Sequence, residues 1–227
     1  MIQTPSPNFD LRTMPISMIV LHYTGMTDAA AAIARLTDAN AKVSAHYLIA
    51  EDGQIVQMVD EDKRAWHAGR AHWRKIDDVN AASIGIELVN PGHEFGYRPF
   101  PEPQIAALLP LMMTLMGRYR ITRGNVVGHS DIAPARKDDP GELFPWERLA
   151  KLRLALPSPT QNLMDPLWTD GGFLLALERF GYDVSDATAA VIAFQRRFRP
   201  ANIGGVIDGE CRAKLLALLL PRPLGDG

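Results

Sequence analysis

Ser17-Met18-Ile19-Val20-Leu21-His22-Tyr23 is a continuous apolar run rich in branched side chains, closed by Thr24-Gly25. A short run without polar alternation reads as a strand buried on both faces, the kind found at the centre of a sheet covered by helices. Side chains alternate along a strand, so Met18, Val20 and His22 share one face. His22 therefore leaves the sheet end on a face otherwise filled with apolar groups.

Working outward, Ser83-Ile84-Gly85-Ile86-Glu87-Leu88-Val89-Asn90 reads as a second central strand. Ile84, Ile86 and Leu88 take one face, and Gly85, Glu87 and Val89 the other. A carboxylate in the middle of a buried strand is costly unless it is paired or used. Glu87 is thus either a structural carboxylate satisfied by a neighbouring cation or, if it faces the same cavity as His22, a general acid or base. Thr27-Asp28 supplies an N-cap for an alanine-rich helix from Ala29 to about Thr37. Ala45 to Ala50 and Gln54 to Val59, joined by Glu51-Asp52-Gly53, predict a hairpin. Apolar positions from Glu102 to Tyr119 follow helical spacing, with the methionines as core filling and Pro110 expected to kink or interrupt the helix. Asn125 to Gly128 is a short strand, and Phe144 to Leu156 a closing helix starting near Pro145. The pattern predicts an α/β fold: a mixed central β-sheet flanked by helices, followed by a small three-helix domain.

The chemistry concentrates in Val127-Gly128-His129-Ser130-Asp131-Ile132-Ala133-Pro134-Ala135-Arg136-Lys137-Asp138-Asp139-Pro140-Gly141, which has no amphipathic period and is broken twice by proline. Hydrolytic zinc usually takes three protein ligands of imidazole and carboxylate type and leaves a fourth position for water. His129 and Asp139 can supply two, and His22, at the end of a rigid strand, is the candidate third. The same residues also read as a hydrogen-bonded loop histidine and a turn aspartate before Pro140-Gly141. His72 and His93 read as exposed loop histidines, and His46 has no assigned role.

The 227 residues, 47% hydrophobic and 22% charged, allow one sizeable core plus a small second domain. A formal net charge of −2 argues against nucleic acid as partner, and no run of like charges suggests a tail. A single cysteine, Cys211, excludes an internal disulfide and reads as a buried or half-buried thiol. No stretch approaches the ~20 apolar residues of a membrane span, and the first residues lack the basic start and apolar core of a signal peptide. These features favour a cytoplasmic setting, with the periplasm as the alternative if a leader has been removed.

Leu156-Pro157-Ser158-Pro159-Thr160-Gln161-Asn162 reads as a linker. The expected organisation is a catalytic domain over 1–155, a linker over 156–167 and a helical domain over 168–222. In the last, Leu174, Leu177 and Phe180, then Val184 to Phe198, then Leu215, Leu216 and Leu219 mark three amphipathic helices, with no charged cluster that points to chemistry.

Four segments together resemble a known family: Val20 to Thr24, Arg64-Ala65-Trp66-His67-Ala68-Gly69, Ser83 to Asn90, and Gly128 to Gly141. They are similar to zinc-dependent N-acetylmuramoyl-L-alanine amidases of the AmpD type, kin to phage amidase lysozymes and peptidoglycan recognition proteins. The resemblance covers roughly residues 15–155. Phe180-Gly181-Tyr182 and Ala193-Phe194-Gln195 resemble the three-helix peptidoglycan-binding module often fused to them. It implies one zinc ion held by His22, His129 and Asp139, with Glu87 moving the proton of the attacking water and Lys137 stabilising the oxyanion. It implies hydrolysis of the bond between muramic acid, in its 1,6-anhydro form, and L-alanine of a muropeptide during wall recycling. Arg136, whose planar fork suits a stem-peptide carboxylate, and Trp66, His67, Tyr47 and Asn90 are the expected substrate contacts. Ala135 departs from the glycine frequent before the Arg-Lys pair. A receptor on this scaffold would lack a ligand or the strand glutamate, and this sequence keeps them all; hydrolysis of another amide is the third reading.

Overall fold

A computed structural model of the protein describes residues 1–161 and 163–220. Its strands are β1 (Ile2–Gln3), β2 (Phe9–Leu11), β3 (Met18–Tyr23), β4 (Tyr47–Ile49), β5 (Ile55–Gln57), β6 (Lys63–Ala65), β7 (Ser83–Leu88) and β8 (Val126–Gly128). Its helices are α1 (Ala29–Thr37), α2 (Val79–Ala82), α3 (Gly92–Phe95), α4 (Glu102–Tyr119), α5 (His129–Ile132), α6 (Trp146–Lys151), α7 (Asp170–Phe180), α8 (Ala187–Phe198) and α9 (Gly209–Leu219). Six strands form a mixed sheet in the order β1-β5-β4-β7-β3-β8, while β2 and β6 pair separately. The expected hairpin is β4 and β5, antiparallel, with Asp52 accepting from the Gln54 amide at its turn.

The two apolar runs become β3 and β7, parallel neighbours buried along their lengths, with His22 opposite Glu87. One sheet face, with Ile19, Leu21, Ile84, Ile86 and Leu88, packs on Ile105, Leu108, Met112 and Leu115 of α4. The helix runs unbroken through Pro110. This corrects the expected interruption: Pro110 and Ala106 are exposed, so the carbonyl left without an amide partner can meet water. The closing helix is also shorter than expected and ends at Lys151, because Arg153 adopts a left-handed φ of 60° that turns Leu154 back onto Leu149.

The other face carries Met18, Val20 and Val127, and the three C-terminal helices cover it. Phe173, Leu177, Phe180, Phe194, Phe198 and Leu215 belong to the same apolar core as these strand residues and Trp73. Burying each such large side chain contributes about 1.5–3 kcal/mol, so helices and sheet hold each other in place. The segment expected as a linker is tied down: Ser158 donates to the Phe198 carbonyl at 2.5 Å and accepts from Lys214 at 3.0 Å. Arg196, Arg197, Arg199 and Lys214 are all buried, in the segment where the sequence pattern assigns charged residues no chemistry. Residues 221 and 222 of the expected helical domain lie outside the described residues.

Candidate metal centre and active site

Three elements deliver three ligand candidates to one point. β3 carries His22 one residue before its end, β8 runs beside it and passes into α5 at His129, and the following loop returns Asp139. The Ser130 amide donates to the Asp139 carbonyl at 2.8 Å and stitches the last two together. Gly128 permits the return, since a Cβ there would sit 2.7 Å from Cδ of Pro140. His22 Nδ1 lies 3.0 Å from His129 Nδ1 and 2.9 Å from Asp139 Oδ2, and the last two are 3.2 Å apart. All three side chains are buried.

Their partners fix where the protons are. Ser83 gives its single hydroxyl proton to the Val79 carbonyl at 2.5 Å. Toward His67 Nε2, 3.1 Å away, it can only accept, so His67 carries its proton on Nε2 and offers a lone pair at Nδ1. That lone pair takes the Nε2–H of His22 at 3.0 Å. His22 therefore turns the lone pair of Nδ1 toward Asp139. Likewise His129 donates Nε2–H to the Ala68 carbonyl at 3.0 Å and turns its Nδ1 lone pair inward. Burial, then the charge of His129, lowers the His22 pKa to about 4, so the ring is neutral near pH 7. Burial works against ionisation of Asp139, yet its contacts with both imidazoles hold the carboxyl well below its ordinary range.

Two imidazole lone pairs and a carboxylate oxygen thus converge with no proton between them, an arrangement that a cation satisfies. Tetrahedral zinc with bonds of about 2.0–2.1 Å places its donors about 3.3 Å apart, close to the spacing here, and acceptors that take the far N–H of each ring, as His67 and the Ala68 carbonyl do, orient zinc-binding histidines. The donor set fits zinc with one position left open.

Glu87 stands beside His22 on the neighbouring strand, 8% exposed, and its Oε2 has no hydrogen-bond partner among the described residues. Burial, and then Asp139, raise its pKa well above the ordinary value, while the charge of Lys137 pulls it down. A cleft of about 370 Å³ opens over these groups, lined by His22, His67, Glu87, His129, Lys137 and Asp139, with Tyr23, Met26 and Arg136 among its walls.

The remaining expected contacts are spread more widely. His67 lies in the cleft floor. Arg136 lines the cleft but donates to the backbone carbonyls of Ala68 and Arg70. Tyr47 does not reach the metal side: it pairs with Ile86, shares the α4 face of the sheet, and its hydroxyl donates to Glu61. Trp66 is absent from the cleft lining, and its indole donates to Asp10 at 2.7 Å. Asn90 is engaged by local backbone, donating to the Arg98 carbonyl at 2.7 Å and accepting from the Gly92 amide at 3.1 Å. His72 and His93 pair with Asp77 and Glu142.

Sequence reasoning missed Ser83, Gly85 and His46. A Cβ at Gly85 would lie 2.4 Å from Cγ of His67, so the glycine makes the space in which that ring buttresses His22. His46, fully buried, accepts from the Gly85 amide at 3.0 Å and meets His67 edge-on. The signal was present: Ser83 and Gly85 share the strand face of Glu87.

A His-His-Asp cluster with a buried, unpartnered carboxyl beside it defines a zinc amidohydrolase type of site. The chain belongs to the N-acetylmuramoyl-L-alanine amidase family, whose sequence pattern matches residues 12–142. It is 38% identical to the N-acetylmuramoyl-L-alanine amidase AmiD of Escherichia coli K12 over 231 residues, covering 90% of this chain and 82% of AmiD. The structure of AmiD with anhydro-N-acetylmuramic acid-L-Ala-D-γ-Glu-L-Lys matches with a TM-score of 0.82 over 92% of this chain and 91% of AmiD, at 36% identity. AmpDh3 of Pseudomonas aeruginosa matches at 0.79 and 33% identity over 96% of this chain and 98% of its own. The 1,6-anhydro-N-acetylmuramyl-L-alanine amidase AmpD of E. coli K12 is 36% identical but covers 66% of this chain and 90% of its own length.

Proposed function

We propose that the protein hydrolyses the amide between N-acetylmuramic acid, in the 1,6-anhydro form, and L-alanine of the peptidoglycan stem peptide. The observation that carries this is Glu87, buried and unpartnered within the cleft that holds His22, His129 and Asp139. His22, His129 and Asp139 would hold zinc, which would supply Lewis acidity for the attack of water on the amide. Glu87, with its raised pKa, takes the proton from the water and passes it to the leaving amine. Lys137, in the cleft wall, faces the charge that develops on the carbonyl oxygen. Arg136, which lines the cleft as His67 does, is the contact for a stem-peptide carboxylate. The anhydro preference draws on the substrate bound to AmiD and on the name of AmpD.

The reaction serves wall recycling, with the cytosol as its place; the helical module supports the periplasmic alternative. One experiment addresses both: a defined anhydromuramoyl tripeptide beside intact sacculi, incubated with as-purified, chelated and zinc-restored protein, products read by mass spectrometry. Zinc-dependent release of free peptide from the small substrate, with sacculi barely touched, is the expected result. Comparable action on sacculi moves the protein to the envelope. No release from either with zinc bound overturns the amidase reading.

A further inference from the structure

The metal loop is held from outside the amidase region. Asp131, two residues after His129, is 1% exposed, and one of its oxygens accepts from the Gly128 amide at 2.7 Å. The other takes the hydroxyl proton of Tyr182 at 2.6 Å, and Arg197 stands 3.9 Å away on α8, its guanidinium stacked on Trp146. A buried carboxylate without partners is costly, and here the partners from beyond the loop both belong to the C-terminal helical segment. On the loop's other arm, Arg196 pairs with Asp138 at 2.7 Å and reaches Glu142 at 3.7 Å. Asp138 and Glu142 flank the ligand Asp139.

We infer that the C-terminal helices are a positioning element of the metal centre: Tyr182 with Arg197 fixes the arm that bears His129, and Arg196 fixes the arm that bears Asp139. The bond from the Ser130 amide to the Asp139 carbonyl joins the arms, so anchoring both sets the separation of two ligands. A module serving only to hold a polymer needs no charged, buried contact with this loop. The inference goes beyond the proposed activity and rests on that reading only for zinc as the bound metal.

The test uses the full chain. Tyr182→Phe keeps the ring and removes the hydroxyl; Arg196→Gln probes the second arm. Ser158→Ala is the control, since it loosens the module without touching the loop. Zinc affinity is measured by chelator competition, and the coordination of cobalt(II)-loaded protein by visible absorption, beside melting temperature. Tyr182→Phe and Arg196→Gln are each expected to weaken zinc several-fold, short of the roughly 10- to 100-fold lost with a direct outer-shell partner, and to shift the cobalt bands. Ser158→Ala lowers the melting temperature and leaves both readouts unchanged. Parental zinc affinity and cobalt spectra in Tyr182→Phe and Arg196→Gln, whatever their melting temperatures, overturn the inference. Zinc affinity and cobalt spectra need no substrate, so a wild-type protein that binds zinc but lacks amidase activity refutes the proposed function without touching the positioning role.

Discussion

Replacing Gly85 by alanine tests the proton order around His22. The added Cβ would lie 2.4 Å from Cγ, 2.6 Å from Cδ2 and 2.7 Å from Nδ1 of His67. Carbon atoms settle at about 3.5–4.0 Å, so the ring must retreat by about an ångström. It cannot take its backbone along, because the amides of His67 and Ala68 both donate to Asn80 at 3.0 and 2.8 Å. Swinging the ring instead breaks the 3.0 Å bond to His22 Nε2. Overpacking of this kind costs about 1–3 kcal/mol of stability. Loss of the outer-shell acceptor should weaken zinc by roughly 10- to 100-fold, or about 1.4–2.7 kcal/mol. Melting curves with and without zinc separate the effects: the metal-free protein reports the overpacking, and chelator competition reports the affinity. Zinc affinity within about twofold of the parent, despite a lowered metal-free melting temperature, would falsify the assignment of His67 as the group that orients His22.

Glu87→Gln should retain zinc while turnover of the anhydromuramoyl tripeptide falls by about 10²–10⁴-fold, the usual reach of a general acid or base; near-parental turnover removes the residue from the chemistry. His46 supplies a pH dependence. Burial lowers its pKa from 6.5 to about 3, so as pH falls through this window the unfolded chain gains a proton that the folded one refuses. Stability should decline with falling pH by about 1.4 kcal/mol per unit for this group, and His46→Gln should flatten denaturation midpoints plotted against pH; an unchanged slope contradicts the buried neutral ring. Gln104, fully buried, donates to the carbonyls of Ile49 and Val89. Gln104→Leu leaves the Val89 carbonyl without its side-chain donor, while the Ile49 carbonyl keeps the Val89 amide at 3.0 Å, and should cost about 1–3 kcal/mol in urea unfolding, so a loss under about 0.5 kcal/mol would contradict a structural role for the bond to Val89.

Much of the site was legible because each key residue breaks a local pattern. His22 ends an apolar strand, Glu87 interrupts one, and His129 and Asp139 share an aperiodic loop. The parity of β7 alone puts Glu87 and Gly85 on one face, and the register with β3 brings His22 to the same place. Tyr47 escaped because its face depends on pairing with Ile86 across β4 and β7, and strand register between distant segments is not written in either strand. Trp66 and Asn90 sit in segments rich in site residues, but their polar atoms are claimed by Asp10, Arg98 and Gly92. The sequence pattern gives Arg196 and Arg197 no role; they are buried because α8 packs on α5 and the loop beyond it, a tertiary fact without a periodic trace.

The apolar core shared by the sheet and the C-terminal helices orders events during synthesis. Met18, Val20 and Val127 belong to a layer completed by Phe194, Phe198 and Leu215. On the ribosome the strands emerge first, and that face stays wet until nearly the whole chain is out. Domains usually fold as units in the order they appear, but here the layer over this face is completed only by the last three helices. The metal loop lies on the same side of the sheet, and the side chains that reach it from the helices, Tyr182, Arg196 and Arg197, leave the ribosome after all three ligands.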